Sequence, residues 1–221
     1  MKNLKNALLL KQLYLLKQLG YRYTSITPYL EDAPNLCLPN SLENVKKQAL
    51  ACHLCDLSKS RNKVVFGEGH PHSTLMFIGD LPSSSDDSSG KIFTGRAGEL
   101  LDNMIEKVLG LERKDVYITN LLKCKVHDNQ APSPRHTHTC HPYILKEIEL
   151  IQPKIIVTLG QLAYEYISHT TEAIEKVHGI AHTIDNITVI PMYHPHYLLR
   201  NPSSKKEAWE DLLKIKTYLK L

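Results

Sequence analysis

The chain has 221 residues, of which 42% are hydrophobic, and 27 Lys and Arg against 23 Asp and Glu give it a formal net charge of +4. That length is enough for one large α/β domain with a sizeable core, and the modest positive charge permits a polyanionic partner without requiring one. No apolar run reaches the length of a membrane span and no secretory leader is recognisable, so we expect no membrane contact and a cytoplasmic protein. Five cysteines, an odd number, argue against a disulfide framework.

The N-terminal segment differs in character from the rest of the chain. Residues 2–19 have the leucine spacing of an amphipathic helix. Residues 20–40 are rich in turn-forming residues, and residues 41–51 predict a short helix. We therefore predict an N-terminal helix and arm over 1–50, which either packs on the remainder or recruits a protein partner, and a domain over 51–221.

In that domain, predicted strands alternate with predicted helices. Buried-type apolar runs predict four strands, and helical spacing predicts the segments between and after them. The strands are 74–79, 116–119, 154–160 and 186–193, and the helices are 97–109, 136–151, 161–169 and 203–219. This order predicts an α/β fold of three layers, αβα, with a four-stranded parallel sheet covered by helices on both faces.

Polar residues and glycines follow each predicted strand. They are the segment 79–82 (GDLP), Asn120, the pair 160–161 (GQ) and the pair 194–195 (HP). Because ligands of parallel sheets bind at the carboxyl ends of the strands, these segments predict one pocket. The chain has no GxGxxG, P-loop or GxSxG motif, which argues against nucleotide-dependent and acyl-transfer enzymes.

Four cysteines have the grouping of a metal site. Cys52 and Cys55 form a CxxC pair, and Cys124 and Cys140 follow on either side of a proline-containing loop. Thiolates grouped in this way bind an iron–sulfur cluster or zinc, and the alternative is a set of buried apolar thiols. Cys37 lies outside the pattern and is predicted to be a plain thiol.

Eight motifs, in order and without large gaps, connect this chain with a known family. They are CHLCDL at 52–57, VFGEG at 65–69, FTGRAG at 93–98, YITNLLKC at 117–124, PKIIVTLG at 153–160, YHP at 193–195, LLRNP at 198–202 and AWEDL at 208–212. From about residue 51 to the C-terminus, the chain resembles the iron–sulfur uracil-DNA glycosylases, known as family 4.

The resemblance implies an activity, a cofactor and a partner. It implies a monofunctional glycosylase that flips uracil out of DNA and hydrolyses its glycosidic bond, which begins base excision repair. It agrees with the fold predicted above and implies one 4Fe–4S cluster, near the DNA-binding face, with a structural role. The partner would be DNA containing uracil, and we expect a monomer. The cluster ligands would be Cys52, Cys55, Cys124 and Cys140.

The resemblance also assigns the uracil pocket. Asn120 would read the O4 and N3–H edge of uracil with its amide, and Phe93 would stack on the flipped base. Gly79 and Leu81 would line the same pocket. The plainer alternatives are an asparagine that caps a strand end and a phenylalanine of the core.

Three further residues would carry the chemistry. His194 would hydrogen-bond to uracil O2 and stabilise the departing uracil anion. Asp86 or Asp80 would place the attacking water. A lone histidine is more often structural, but its position at a strand end inside the YHP motif favours the catalytic role.

Segment 196–201 would enter the DNA at the gap left by the flipped nucleotide. Leu198 or Leu199 would be the wedge and Arg200 a phosphate contact; the alternative is a short turn that packs its leucines. Other candidate phosphate contacts are Lys123, Lys125, Arg135, Lys205 and Lys206.

The first motif departs from the family pattern, which is usually Gly-Glu-Ala-Pro-Gly. Asp80 is shorter than the family glutamate, Leu81 is larger than alanine, and Ser83 replaces a glycine. We expect strain at Ser83 if that position requires a positive φ. The departure keeps two other functions open: a DNA-binding protein of the same fold with lost or altered glycosylase chemistry, and a zinc-stabilised module with another nucleic-acid role.

Overall fold

A computed structural model describes residues 36–126 and 131–219. The predicted helix at 2–19 and most of the predicted arm lie outside these residues. The compact unit begins at Leu36, so the predicted boundary at residue 50 falls inside it. The reason is helix α1 (Leu42–Leu50), which packs Val45 and Ala49 against Phe66.

Strands and helices alternate along the rest of the described chain. The strands are β1 (Glu68–Gly69), β2 (Leu75–Gly79), β3 (Tyr117–Asn120), β4 (Ile155–Leu159), β5 (His182–Ile184) and β6 (Ile187–Met192). The further helices are α2 (Ser84–Ser89), α3 (Gly95–Met104), α4 (Pro134–Ile151), α5 (Gln161–Ser168), α6 (Ile174–Val177), α7 (Pro195–Arg200) and α8 (Lys205–Leu219). None of the helices described is long and apolar enough to cross a membrane.

The sheet has the strand order β1-β3-β2-β4-β6-β5. Its four central strands are parallel, which confirms the predicted parallel sheet. The outer strands β1 and β5 pair antiparallel and make the sheet six-stranded rather than four-stranded. Each has only two or three residues, too few to show an alternating pattern in the sequence.

Both faces of the central sheet are buried, which explains the uninterrupted apolar strands. Leu75 and Phe77 contact one core, which α3 and α8 cover. Met76 and Ile78 contact the other, which α4 and α5 cover. Because side chains alternate along a strand, a strand buried on both faces is apolar at most of its positions. The predicted three-layer αβα fold is therefore confirmed.

The register of the central strands brings the predicted site residues together. Gly79 of β2 lies opposite Asn120 of β3, and Leu159 of β4 lies opposite Met192 of β6. The backbone pairing continues past the strand ends, because Leu121 N–H donates to Gly79 O at 2.8 Å. All four parallel strands thus end at one edge, where their loops can form a common site.

Candidate active site and cysteine cavity

A cleft with a volume of about 1090 Å³ opens at this edge of the sheet. Five residues that the sequence analysis selected line it: Asp80, Leu81, Lys125, His194 and Arg200. They come from the loops after β2, β3 and β6. The cleft therefore lies at the carboxyl ends of parallel strands, where the sequence analysis predicted a pocket.

Gly79, Asn120 and Phe93 lie together at the carboxyl end of β2, close to His194 of the cleft. A methyl group on Gly79 would overlap Asn120 Oδ1 and lie 2.9 Å from Phe93 Cζ. Asn120 is 1% exposed, and neither its Oδ1 nor its Nδ2 has a hydrogen-bond partner among the described residues. A buried amide without partners is costly. It caps no strand end here and is available to a planar polar ligand.

The backbone at Phe93 has a strained conformation that fixes the position of the Phe93 ring. Phe93 has φ 48°, a left-handed conformation that is unusual for a bulky residue. A methyl group on Gly98 would overlap the Phe93 carbonyl oxygen, so this glycine permits the close approach that holds the loop. The Phe93 ring lies 5.7 Å from the His194 ring at an interplanar angle of 26°. Although Phe93 is buried, it forms one wall of the site.

His194 stands between β6 and α7 as a neutral hydrogen-bond donor. Its Nδ1 accepts the N–H of His196 at 3.1 Å, which caps α7. Burial lowers the pKa of His194 to about 3, aided by the neighbouring His196 and opposed by Asp86. With Nδ1 acting as acceptor, the proton of the neutral ring is on Nε2.

Asp80 is the carboxylate at the cleft. Its Oδ1 accepts the N–H of Ala163 at 2.7 Å, at the start of α5. Gly160 provides the room, because a methyl group there would lie 2.7 Å from Asp80 Oδ2. Burial raises the pKa of Asp80 to about 7 in spite of that hydrogen bond. The group therefore gains and loses its proton near neutral pH.

The serine-rich segment after Asp80 forms helix α2. Ser83 has φ −75°, so the expectation of strain at this position is wrong. Ser83 instead caps α2, because its hydroxyl accepts the N–H of Asp86 and Asp86 Oδ2 accepts the N–H of Ser83. Asp86 Oδ1 also accepts the N–H and the hydroxyl of Thr94, each at 2.6 Å. Asp86 thus holds the loop that carries Phe93 and does not line the cleft.

The four predicted metal ligands line one small cavity of about 20 Å³: Cys52, Cys55, Cys124 and Cys140. Arg61 Nη1 donates to Cys124 Sγ at 3.1 Å, and the N–H of Lys123 donates to Cys140 Sγ at 3.4 Å. Such donors stabilise thiolate ligands. Burial raises the pKa of the Cys140 thiol to about 12, so this thiol would need a cation to ionise.

The spacing of the thiols bears on the kind of metal centre. Within residues 36–126 and 131–219, no three cysteine, histidine or carboxylate side chains converge closely enough for one metal ion. Zinc holds its sulfur ligands at about 2.3 Å from one point, whereas the sulfurs of a multi-iron cluster surround a larger body. Four cysteines around one cavity are a donor set that an iron–sulfur cluster can use. Cys37 is exposed and does not line this cavity.

Comparison with known proteins identifies the family. The sequence model described as "Uracil DNA glycosylase superfamily" matches residues 66–213. The chain belongs to this superfamily. The match covers the residues that line the cleft, Asn120, and two of the four cysteines of the cavity.

Several type-4 uracil-DNA glycosylases are similar to this superfamily member over most of its length. The protein of Sulfurisphaera tokodaii is 40% identical over 185 residues, which cover 80% of this chain and 84% of the relative. That of Saccharolobus solfataricus is 39% identical and covers 81% and 87%. That of Thermotoga maritima is 37% identical and covers 81% and 95%. The family resemblance seen in the sequence is confirmed.

The predicted wedge of this uracil-DNA glycosylase superfamily member is only partly in place. Leu198 is 1% exposed and packs in the core, so it cannot enter DNA and its prediction as a wedge is wrong. Leu199 is half-buried and stays a candidate. His196 and Tyr197, which the sequence analysis passed over, are exposed and line the cleft. Helical periodicity would have separated these faces if segment 195–200 had been interpreted as a helix.

Lys123 is not a phosphate contact. Its side chain is 2% exposed and forms a buried ion pair with Glu147 of α4. Lys123 Nζ also donates to Thr119 Oγ1 at 2.7 Å and to Asn120 O at 2.8 Å. Tyr117 completes the network by donating its hydroxyl to Glu147 Oε1 at 2.8 Å. The network joins the backbone of Asn120 to the wall of the cysteine cavity, which Lys123 also lines.

Proposed function

We propose that this protein is a monofunctional uracil-DNA glycosylase that flips uracil out of DNA, hydrolyses its glycosidic bond and begins base excision repair. The observation that carries the proposal is the buried Asn120 amide, which lacks partners among the described residues and lies beside Gly79 and Phe93. Names of type-4 relatives at 37–40% identity support it.

The side chains of Asn120 and Phe93 suit a flipped uracil. The amide offers one acceptor and two donors, which complement the N3–H and O4 edge of uracil and mismatch the amino group of cytosine. The ring of Phe93 provides a face for stacking. The absence of a side chain at position 79 lets Asn120 and Phe93 lie close together beside β2, and Leu81 lines the cleft.

His194 and Asp80 supply the chemistry. The C1′–N1 bond breaks with its electron pair going to uracil, and His194 Nε2–H donates to O2 as negative charge develops there. A neutral imidazole suits this role, because an imidazolium would transfer its proton rather than hold a hydrogen bond. Water adds to C1′ and gives up its proton toward the carboxylate of Asp80, a residue that lines the cleft. Asp86 contributes by holding the loop of Phe93.

DNA would lie along the cleft. Arg200 and Lys125, which line it, would contact phosphates, and Leu199 would fill the gap left by the flipped nucleotide. The altered first motif does not obstruct this arrangement, because Ser83 is unstrained and Asp80 faces the cleft. A DNA-binding protein without chemistry would not need a buried Asn120 amide without partners among the described residues, or a neutral histidine that stacks near Phe93.

The deciding experiment is uracil release from a single-stranded oligonucleotide, with a thymine oligonucleotide of the same sequence as control. We expect an abasic strand that stays intact until alkali treatment, since no lyase step is proposed. DNA binding without uracil release would instead support the binding-protein alternative.

We propose further that Cys52, Cys55, Cys124 and Cys140 hold one 4Fe–4S cluster. When bound, it would act as a covalent tie between the segment after α1, the loop after β3 and helix α4, with no redox step in catalysis. The N–H donors of Arg61 and Lys123 on two of the sulfurs support thiolate ligation. The Lys123 side chain, paired with Glu147, forms part of the cavity wall.

Replacing Cys124 with serine should remove the cluster. We expect loss of the brown colour, of the broad visible absorption and of most iron and inorganic sulfide, together with a lower midpoint of thermal unfolding, because a tie between three segments is lost. Cys37→Ser is the matched control, since Cys37 is exposed and outside the cavity. Zinc instead of iron in the wild-type protein would contradict the cluster.

The rate of uracil release should rise with pH through about 7 and then level off. Burial raises the pKa of Asp80 to about 7, so below this pH the carboxyl is protonated and cannot accept the proton of water. His194, with a pKa of about 3, adds no step near about 6.5, where a free imidazole titrates. Asp80→Asn should be slower and lack the step; a step that persists in this variant would assign it to another group.

A further inference from the structure

Two exposed aromatic side chains, His196 and Tyr197, line the cleft. The ring of His196 is parallel to that of His194, with centroids 5.3 Å apart and an interplanar angle of 2°. The ring of Tyr197 stacks on Tyr193 at 5.0 Å and 16°. Tyr197 is 38% exposed, and both residues line the cleft. Each exposed ring therefore rests on a ring beneath it.

The surroundings of these rings resemble the composition of a single-strand binding surface. Such surfaces combine aromatic faces, on which bases stack, with cations that contact the backbone. Arg200 and Lys125 line the same cleft as His196 and Tyr197. One exposed tyrosine is ordinary on a protein surface. Two neighbouring rings with fixed orientations, in a cleft with two cations, suit a negatively charged ligand with flat faces, such as a nucleic acid.

We propose that His196 and Tyr197 form a stacking subsite for the bases that flank the flipped uracil, and that this subsite makes single-stranded DNA the preferred substrate. The inference rests on the proposed function for the identity of the central base. In a duplex, neighbouring bases already cover each other's faces, so the two rings would find free faces only after unstacking. In a single strand the flanking bases are available without that cost.

The test compares Tyr197→Ala with Tyr197→Phe in binding to a single-stranded oligonucleotide without uracil. We expect Tyr197→Ala to raise Kd about 5- to 100-fold, the range found when a stacking ring is removed, and Tyr197→Phe to bind like the wild type. In uracil release from the single strand, Tyr197→Ala should raise KM and leave kcat nearly unchanged. With duplex substrate the loss should be smaller.

Salt dependence separates stacking from charge. Tyr197→Ala should leave the slope of log K against log salt unchanged, because no phosphate contact is lost. Arg200→Gln should reduce that slope by about 0.7 for a single strand. Tyr218→Ala is the matched control, since Tyr218 is 53% exposed on α8 and does not line the cleft; it should bind like the wild type.

His196→Ala and His196→Phe repeat the comparison at the second ring. The His196 backbone N–H that caps α7 through His194 is kept in both. Equal Kd and KM for the wild type and both alanine variants would overturn the subsite, even with uracil release intact. Tight binding that depends on both rings, without any uracil release, would support the stacking subsite and contradict the proposed glycosylase function. Equal losses for single strand and duplex would overturn the single-strand preference.

Discussion

Replacing His194 with alanine is expected to slow uracil release about 10²–10³-fold, the usual effect of removing one hydrogen-bond donor from a developing oxyanion. The ring is neutral, with its Nδ1 occupied by the His196 N–H and its Nε2 proton available. The loss should fall on kcat, because the negative charge on uracil O2 develops only as the bond breaks. Single-turnover release from a uracil-containing single strand measures it directly.

The control must separate the loss of the imidazole hydrogen bond to uracil from the loss of the helix cap. His194 caps α7, and the loss of a cap costs about 1 kcal/mol. His194→Asn keeps a side chain that can cap a helix and removes the imidazole. We expect both variants to bind uracil-free DNA like the wild type and both to be slow. Wild-type rates in either variant would remove His194 from the mechanism, and recovery in the asparagine variant alone would assign the effect to the cap.

Replacing Lys123 with methionine is expected to lower the free energy of unfolding by about 3–5 kcal/mol, because the carboxylate of Glu147 would stay buried without its cation. Glu147 is 0% exposed, and only the hydroxyls of Tyr117 and Thr119 would remain as partners. Urea unfolding followed by circular dichroism measures the loss. Uracil release should fall as well, since Lys123 Nζ also holds the carbonyl of Asn120.

Two comparisons make this result specific. Lys123→Met combined with Glu147→Leu should recover most of the stability, because removing both charges relieves the unpaired carboxylate. Lys47→Met breaks an exposed pair with Glu43, whose side chains are 68% and 77% accessible, and should cost less than about 1 kcal/mol. If Lys123→Met were as stable as Lys47→Met, the buried network would have no structural role.

The parts of the fold that the sequence predicted are those whose signal is local. The four central strands are apolar at successive positions because both faces are covered, and this is visible without any partner. The edge strands β1 and β5 were missed, since two or three residues carry no periodicity. The sequence analysis also did not predict the helix in segment 83–89. Serine and aspartate are poor helix formers, and α2 exists because Ser83 and Asp86 cap it and Thr94 anchors it.

The residues of the candidate site also fall into those that a local signal predicted and those whose role depends on distant contacts. Position at a strand end predicted Asp80, Asn120 and His194, because parallel strands deliver their ends to one edge. Nothing local distinguished Lys123 from a surface cation or Leu198 from Leu199. The first is decided by Glu147, which lies 24 residues away, and the second by which face of α7 meets the core.

The sequence by itself determined the layered parallel sheet, the grouping of the four cysteines and the polar residues at the strand ends, since these follow from periodicity, spacing and strand order, while the resemblance to the family added Phe93. Only the tertiary structure decided the protonation of His194 and Asp80, the pairing of Lys123, the structural use of Asp86 and the exposure of His196 and Tyr197. The physical reason is that burial and hydrogen-bond partners depend on groups that are distant in the chain and adjacent only after folding.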